Sequence, residues 1–370
     1  MMKHLEEPFG ETISSGTPSK DQSEDSAGLL AKLETLLTGP PSDLRTALIR
    51  EMLAGVVKFH EHSIDVLDIK IVNQALQELR YAFQVFQPYE HCLKVSIYGS
   101  ARTPSDHPDF QLAARFARLL SQQGFMVITG AGPGIMEAGH QGAGKDMSFG
   151  VNIMLPYEQS ANATIAGDPK LVHLKYFFTR KLLFVRESQA AAFFPGGLGT
   201  MDEAFEILTL IQTGKANLVP IVCLQAQGSD YWDRWMDFVA GQLLPRGLIS
   251  ESDLSLFKIF DHEEPAVQEI QDFYRNFHSF KFVHDLLVVR IRQPLTPLQL
   301  ADVQSNFQDL CVDGSFFPVQ AFPQEQDELE ALHLPRLAFH YHRRNAGRLR
   351  QFINWLNGLQ IESSPGRDEG

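Results

Sequence analysis

Short apolar runs alternate with stretches of helical spacing between residues 93 and 262 of this chain. A short apolar run bounded by turn residues is typical of a buried strand, and apolar residues at every third or fourth position are typical of a helix. The pattern predicts strands near 94–98, 125–129, 148–154, 171–174, 189–194 and 218–224. It predicts helices at about 107–123, 134–145, 176–187, 200–213 and 230–243. This alternation favours an α/β fold, with a doubly wound parallel sheet in a Rossmann-like domain over residues 91–262.

The pattern changes on both sides of this segment. Residues 28–90 carry helical spacing and predict a helical N-terminal extension, with a break at Gly39-Pro40-Pro41. Residues 263–358 predict a small α+β appendage, with helices near 264–277, 297–309 and 343–356 and strands near 282–290 and 335–341. Residues 1–27 are short of aromatic and branched side chains, so we predict disordered tails over 1–27 and 359–370.

Composition limits the classes of partner. The 370 residues include 32 Lys and Arg against 45 Asp and Glu, a formal charge of -13. Nucleic acids and anionic membranes reward clustered cations, so we expect neither as a partner. With no apolar run of membrane length and a polar N-terminus, the chain is expected to be soluble and cytoplasmic. Cys92, Cys223 and Cys311 are far apart and are expected to be buried free thiols.

The most distinctive stretch leads from a predicted strand through glycines into a predicted helix: Pro195-Gly196-Gly197-Leu198-Gly199-Thr200-Met201-Asp202-Glu203. Glycines let the backbone approach an anion closely, and the N–H groups and positive dipole end of the helix point toward it. We therefore predict phosphate binding by Gly196, Gly197, Gly199 and Thr200. Glu203 lies on the first helical turn, close to whatever carries the phosphate. Asp202 either contacts the ligand or only favours the helix dipole.

Two further glycine turns follow the first and second predicted strands. They contribute six candidate binding residues: Ser100, Arg102, Gly132, Gly134, Met136 and Glu137. Because the carboxyl ends of parallel strands share one edge of the sheet, we expect the three turns to form one site. Alternatively, Met136 belongs to the core and Glu137 only favours its helix dipole.

The second turn, Gly130-Ala131-Gly132-Pro133-Gly134, faintly resembles a dinucleotide-binding fingerprint. That fingerprint follows the first strand and is answered by an acid at the end of the next strand. Here the turn follows the second strand, and the third strand ends in Asn152-Ile153-Met154-Leu155-Pro156. Dinucleotide binding is therefore the weaker hypothesis.

Two cations, Arg180 and Lys181, open the predicted helix at 176–187. Cations at that end oppose the helix dipole, which indicates a counter-anion, either a ligand or a carboxylate such as Glu203. Without the neighbouring motifs, the default interpretation is that Arg180 and Lys181 are two solvated surface cations. Beside the glycine turns, we interpret Arg180 as functional and leave Lys181 more open.

The motif Pro-Gly-Gly-x-Gly-Thr-x-x-Glu at Pro195 to Glu203, preceded by Arg180-Lys181, resembles the Lonely Guy family of nucleotide phosphoribohydrolases. Members of that family have often been labelled lysine decarboxylases. The resemblance covers roughly residues 70–245. Four further segments are similar to its longer bacterial members: the first-strand turn at Tyr98 to Arg102, Gly132 to Ala138, Gly150 to Pro156, and Gln212-Thr213-Gly214-Lys215.

The resemblance implies hydrolysis of the N-glycosidic bond of a nucleoside 5'-monophosphate, AMP-like or a cytokinin riboside monophosphate, to free base and ribose 5-phosphate. It implies Glu203 and Arg180 as catalytic residues. A carboxylate near the anomeric carbon stabilises an oxocarbenium-like transition state or activates water. Arg180 then holds the nucleotide or helps the base leave.

The resemblance also implies at least a homodimer with active sites near the subunit interface. The apolar faces over 44–57 and 205–211 could supply that surface or belong to the core. We expect no cofactor and no metal. His340 and His342 alternate along a predicted strand without carboxylates at a defined spacing. The cations Arg343, Arg344, Arg348 and Arg350 predict a solvated helix face or, less favoured, an anion site.

Two other functions compete with hydrolysis. A non-catalytic nucleotide-binding or sensing protein would need the glycines and Thr200, but neither Arg180 nor Glu203. A pyridoxal-phosphate lysine decarboxylase requires a Schiff-base lysine and an acid against the pyridine nitrogen. Because no lysine in the chain has that setting, we discount the decarboxylase.

Overall fold

The computed structural model describes residue 28 and residues 31–38, 43–154, 161–326 and 328–359. The predicted tails, apart from Leu359, and the break at Gly39-Pro40-Pro41 lie outside the described residues. The last two residues of the Gly150 to Pro156 segment do so as well. The chain divides into two compact units, Met1–Glu78 and Leu79–Gly370.

The described residues of the first unit are mostly helical, as the spacing predicts. Its helices are α1 (31–38), α2 (Leu44–Glu61) and α3 (Val66–Phe86), the last of which continues into the second unit. Asp43 caps α2, because its carboxylate accepts a hydrogen bond from the backbone N–H of Thr46. The apolar side chains of Leu44, Leu48 and Met52 on α2 are each more than half exposed.

A seven-stranded parallel sheet organises the second unit. Its strands are β1 (Lys94–Tyr98), β2 (Met126–Thr129), β3 (Ser148–Ile153), β4 (Leu171–Leu174), β5 (Ala190–Phe193), β6 (Ile221–Leu224) and β7 (Phe257–Phe260). They run in the order β4-β3-β2-β1-β5-β6-β7. Since the order reverses between β1 and β5, the turns after these two strands flank a crevice. The predicted doubly wound α/β fold is confirmed, with β7 as an edge strand that was not predicted.

Helices cover both faces of this sheet. They are α4 (Pro108–Gln122), α5 (Ile135–Ala143), α6 (Phe177–Glu187), α7 (Leu198–Gln212), α8 (Tyr231–Phe238) and α9 (Glu263–Phe273). Successive side chains of a strand point to opposite faces. Accordingly, Ala190 and Ala192 of β5 pack with α4, α5 and α9, whereas Ala191 and Phe193 pack with α6, α7 and α8. Helix α9 therefore covers the parallel sheet, whereas the sequence pattern predicts that residues 263–358, which include this helix, belong to the C-terminal appendage.

The C-terminal region forms a four-stranded antiparallel sheet with two helices. Its elements are β8 (Phe277–Val283), β9 (Leu286–Ile291), α10 (Pro297–Phe307), β10 (Phe317–Val319), β11 (Arg336–His340) and α11 (Ala346–Gly358). The prediction of one strand over 282–290 was wrong, because the chain reverses there between β8 and β9. His284 makes that turn with a φ of 56°. A positive φ is usually taken by glycine, so the sequence shows no sign of a turn at this histidine.

The predicted solvated arginine face is wrong at one position. Arg350 is only 2% exposed and forms an ion pair with Glu269 of α9. Helix α11 packs against α9, so a position that helical spacing alone placed toward solvent is enclosed. Arg343 and Arg344 are exposed, and Arg348 pairs with Asp309.

The three thiols are free, and only Cys223 is fully buried. Burial raises the pKa of the Cys223 thiol, so this side chain is an unreactive part of the core. Within the described ranges, no helix has both the length and the apolar character needed to cross a bilayer.

Candidate active site

Backbone hydrogen bonds join the three glycine turns at the carboxyl edge of the parallel sheet. The N–H of Ser100 donates to the carbonyl oxygen of Pro195 at 3.1 Å, which links the turns after β1 and β5. The N–H of Ile135 donates to the carbonyl oxygen of Ser100 at 3.0 Å, which adds the turn after β2. The three turns therefore form one continuous surface at the point where the strand order reverses.

Two glycines are required by how closely these turns approach. Gly134 caps α5 with a φ of 67°, and a Cβ atom there would overlap the carbonyl oxygen of Ser100. A Cβ atom at Gly196 would overlap the hydroxyl of Thr200 and lie 3.1 Å from the N of Ser100. Both positions hold the turns together rather than line the space between them.

A cleft of about 810 Å³ opens between the turns and α6. Its volume lies in the usual range of small-ligand sites, which is about 300–1,000 Å³. Nine predicted site residues line it: Ser100, Arg102, Gly132, Met136, Arg180, Gly197, Gly199, Thr200 and Glu203. Its lining also includes residues that were not predicted as ligands, among them Tyr98, Asn152, Phe177 and Leu198.

Four predicted residues do not line the cleft. Gly134 and Gly196 lie behind its surface, in the contacts between turns. Glu137 lies on α5 and accepts a hydrogen bond from the side chain of Gln141 at 3.1 Å. Lys181 points toward the carboxylates of α7, as described below.

Glu203 is the buried acid of the cleft. It lies on the second turn of α7, one turn further along than the sequence predicted, and is 7% exposed. Burial raises the pKa of its carboxyl group, while the positive charges of Lys181 and Arg180 oppose that rise. Such a carboxylate is poorly hydrated and can interact strongly with a positive charge that develops in the cleft.

Lys181 supplies one of these charges through contacts with three carboxylates on a neighbouring helix. Its Nζ lies 2.8 Å from Asp202 and 3.7 Å from Glu203, and it also pairs with Glu206. Burial alone would lower the pKa of Lys181, but hydrogen bonds to Asp202 and Glu206 outweigh it and the pKa is raised. The counter-anion expected for the cations of α6 is thus, for Lys181, a carboxylate cluster.

Arg180 is held between β3, the second turn and α6. Its Nε donates to the carbonyl oxygen of Val151 at 3.1 Å, and its Cζ lies 5.4 Å from the ring centre of Phe184. The guanidinium also lies against Gly130, where a Cβ atom would overlap its Nη2. These contacts fix a permanent positive charge in the lining of the cleft, close enough to Glu203 to lower the pKa of its carboxyl group.

A buried polar network supports the second turn and was missed by sequence reasoning. The side-chain amide of Asn162 donates to the carbonyl oxygens of Ala131 and Gly132 at 3.1 and 3.0 Å. His140 contacts Asn162 and, through Nε2, the hydroxyl of Thr129 at 3.0 Å. Burial lowers the pKa of His140, which favours the neutral ring. The network holds Ala131 at a φ of 62°, a conformation unusual for alanine.

Two other kinds of site, a Schiff-base lysine and a metal centre, can be compared with the described side chains. The described lining of the cleft contains no lysine, so no residue there could form a Schiff base. Outside the cleft, His262, Glu263 and Glu264 bring possible metal-ligand atoms within 4.8 Å of one another. Glu263 is already paired with Arg115. His340 lies 3.0 Å from Asp285, a carboxylate that sequence spacing did not reveal.

Part of the chain matches the model of a known family. Residues 132–270 match the model of a family described as Possible lysine decarboxylase. The matched segment includes Arg180 and Glu203 but not the turn after β1. No curated protein sequence matches the chain significantly.

Solved structures with partial similarity cover about half of the chain. A structural-genomics protein designated TM1055 shares 21% identity over 48% of this chain and 98% of its own, with a TM-score of 0.35. A molybdenum cofactor binding protein from the phototrophic bacterium Rippkaea orientalis shares 21% identity over 48% and 94%, with a TM-score of 0.34. A molybdenum cofactor carrier protein from Chlamydomonas reinhardtii shares 14% identity over 49% and 96%, with a TM-score of 0.35.

Proposed function

We propose that the cleft hydrolyses a nucleoside 5'-monophosphate. The products are a free base and ribose 5-phosphate. Residues 132–270 match the model of the family described as Possible lysine decarboxylase, and the sequence motifs resemble the same family. The family match and the Rossmann-like sheet support a function that involves a nucleotide. The finer assignment to N-glycosidic hydrolysis rests on Glu203.

The observation that carries the proposal is the position of one buried acid beside an anion-binding turn. Glu203 lies on the second turn of α7, just beyond the N-terminal residues Gly197, Gly199 and Thr200, and all four line the cleft. The N-terminus of α7 favours an anion, so the 5'-phosphate binds there and the ribose lies next to Glu203. A protein that only binds nucleotides has no need of a buried acid whose pKa is raised by burial.

The chain's own side chains can perform the hydrolysis. Water adds its oxygen to the anomeric carbon, the N-glycosidic bond breaks, and the base leaves with a proton. Positive charge grows on the sugar ring as that bond lengthens, and the carboxylate of Glu203 stabilises it or accepts a proton from the attacking water. Arg180 holds the nucleotide or assists the departing base from the opposite wall.

The other site residues fall into two groups in this proposal. Ser100, Arg102, Gly132 and Met136 contact the nucleotide from the turns after β1 and β2. The Oγ of Ser100 already accepts a hydrogen bond from the N–H of Arg102 at 3.0 Å, which shapes the first turn. Lys181, in contrast, does not touch the substrate but orients Glu203 and favours its ionised form.

We also propose that the chain acts as a homodimer in the cytoplasm. Large apolar side chains beside the cleft are exposed in the single chain, with Phe177 at 50%, Leu198 at 91% and Phe205 at 40%. Covering them with a second copy would remove apolar surface from water near the active site. Size-exclusion chromatography with light scattering measures this directly.

A panel of purine, pyrimidine and cytokinin-type nucleoside 5'-monophosphates tests the activity. We expect chromatography to detect a free base from at least one member and to show that Glu203→Gln removes most of this release. Glu137→Gln is the matched control, because Glu137 is a carboxylate near the N-terminus of α5 that does not line the cleft. If every nucleotide stays intact, or if both variants lose activity equally, the proposal is wrong.

A further inference from the structure

A second cavity of about 800 Å³ lies between the parallel sheet and the C-terminal antiparallel sheet. One wall comes from β1, the end of α6 and the start of β5, and the other comes from β8 and the segment around Tyr341. Tyr98 lines both this cavity and the candidate active site. The cavity therefore lies directly behind the active-site cleft, but the proposed hydrolysis makes no use of it.

The charge of this cavity is opposite to that of the whole chain. Four cations belong to its lining: Arg186, Lys215, Lys281 and Arg343. The described residues of the lining include no Asp or Glu, although the chain carries 45 acids against 32 Lys and Arg. A concave surface with cations and low-dielectric walls attracts anions.

The four cations do not have equal surroundings. Arg186 pairs with Glu187, and Lys281 lies 2.7 Å from Glu328. Lys215 belongs to the turn after α7, and Arg343 follows β11 with a φ of 59°. That conformation is uncommon for a residue with a side chain, and it places the Cζ of Arg343 4.1 Å from the ring centre of Phe282. Lys215 and Arg343 are thus the cations best placed to pair with a ligand.

Aromatic side chains form much of the remaining wall. The rings that line the cavity include Tyr274, Phe277, Phe280, Phe282 and Tyr341. Aromatic walls favour a flat ring between them, and a guanidinium can stack on such a ring. Polar groups from Gln189, Asn217 and Ser279 could fix its orientation.

A sequence motif points to the same place. Gln212, Thr213, Gly214 and Lys215 form one of the segments that resemble the family, yet none of them lines the active-site cleft. All four line the second cavity. We propose that this cavity binds a small organic anion that carries a flat aromatic ring, with Lys215 and Arg343 holding the anionic group.

Isothermal titration calorimetry of the full chain with 2-naphthalenesulfonate tests the proposal. Excess ribose 5-phosphate is included to occupy the active-site cleft, so that binding of 2-naphthalenesulfonate in that cleft does not contribute to the measured heat. We expect binding at one site, and we expect 2-naphthol, which has the same ring without the charge, to bind much more weakly. The blocking step with ribose 5-phosphate rests on the proposed function, but binding is measured without turnover and is located by variants of the second cavity, so failure of the hydrolysis would not remove it.

Two double variants locate the binding. Lys215→Gln/Arg343→Gln should weaken 2-naphthalenesulfonate binding by about tenfold or more. Arg246→Gln/Arg344→Gln removes the same charge from exposed positions outside the cavity lining and should leave the affinity unchanged. Charge reversal by Lys215→Glu alone should also weaken binding. Absent binding, equal affinity for 2-naphthol, or equal loss in both double variants would overturn the proposal.

Discussion

Lys181→Met isolates the electrostatic role of Lys181, since methionine keeps an unbranched apolar stem without the charge. Burial raises the pKa of Glu203, and Lys181 is the cation that opposes this most. Removing Lys181 should therefore raise the pKa of Glu203 further and leave less of its ionised form at neutral pH. If hydrolysis needs the carboxylate, the acidic limb of the kcat/KM profile moves to higher pH.

The size of the effect follows from geometry. Unit charges 3.7 Å apart, the separation of Lys181 Nζ and Glu203, interact by about 4 kcal/mol at an effective dielectric constant of about 20. Exposed pairs contribute only about 0.2–1 kcal/mol in measurements. Lys181 is 16% exposed and shares its charge with Asp202 and Glu206, so we expect an intermediate loss of about 1–2 kcal/mol. That corresponds to about a tenfold lower kcat/KM on the acidic limb.

The assay is a pH profile of base release for the wild type, Lys181→Met and Glu206→Gln. Glu206 is a second negative charge near Glu203 that raises its pKa, so Glu206→Gln should move the acidic limb to lower pH. The Lys181→Met deficit should disappear well above the pKa of Glu203, where both proteins are ionised. A folded Lys181→Met variant with an unshifted profile, or with the same deficit at every pH, would refute the reasoning.

Three further predictions test the site and the fold, two of them with a matched control variant. Because burial raises the pKa of Glu203 in the folded state, its ionisation costs stability above that pKa and costs nothing below the ordinary pKa of a carboxyl group. Glu203→Gln should therefore have a higher Tm than the wild type at about pH 8, and the two Tm values should be equal at about pH 4. A lower Tm for Glu203→Gln at both pH values would contradict this prediction. Gly134→Ala and Gly144→Ala both place a side chain at positive φ, which costs about 1–3 kcal/mol, but only Gly134 also meets the Ser100 carbonyl. Base release should fall sharply for Gly134→Ala alone, and equal activities would show that the turns need not touch. Arg350→Met leaves Glu269 paired only with the more exposed Lys258, and it should lower the unfolding free energy by about 2 kcal/mol in urea. The exposed control Arg344→Met should lower it by less than about 1 kcal/mol.

The fold class could be predicted because its signals are local. An apolar run over a few residues specifies a buried strand, and β1 and β4 have the predicted bounds. The edge strand β7 is partly exposed and contains Lys258. It therefore lacks the continuous apolar run that predicts a buried strand. The hairpin between β8 and β9 was missed because His284 takes the turn that glycine usually marks.

The site could be predicted where one motif contains both backbone geometry and chemistry. The glycine turns and Glu203 are of this kind, and the structure places them around one cleft. For Lys181 the sequence left two counter-anions open, a ligand or a carboxylate such as Glu203, because its contacts with Asp202 and Glu203 cross from α6 to α7. His140 and Asn162 lie 22 residues apart, and nothing in the sequence marks their contact. Contacts between elements therefore account for most of what the sequence left out.

The central claim, that the cleft breaks an N-glycosidic bond, is tested most directly by one paired measurement. The preferred nucleotide is incubated with the wild type and with Glu203→Gln, both products are quantified by mass spectrometry, and nucleotide binding to each protein is measured in parallel. We predict equal amounts of free base and ribose 5-phosphate from the wild type, and binding without turnover by Glu203→Gln. Binding without turnover by both proteins, or release of a nucleoside and inorganic phosphate, would contradict the claim.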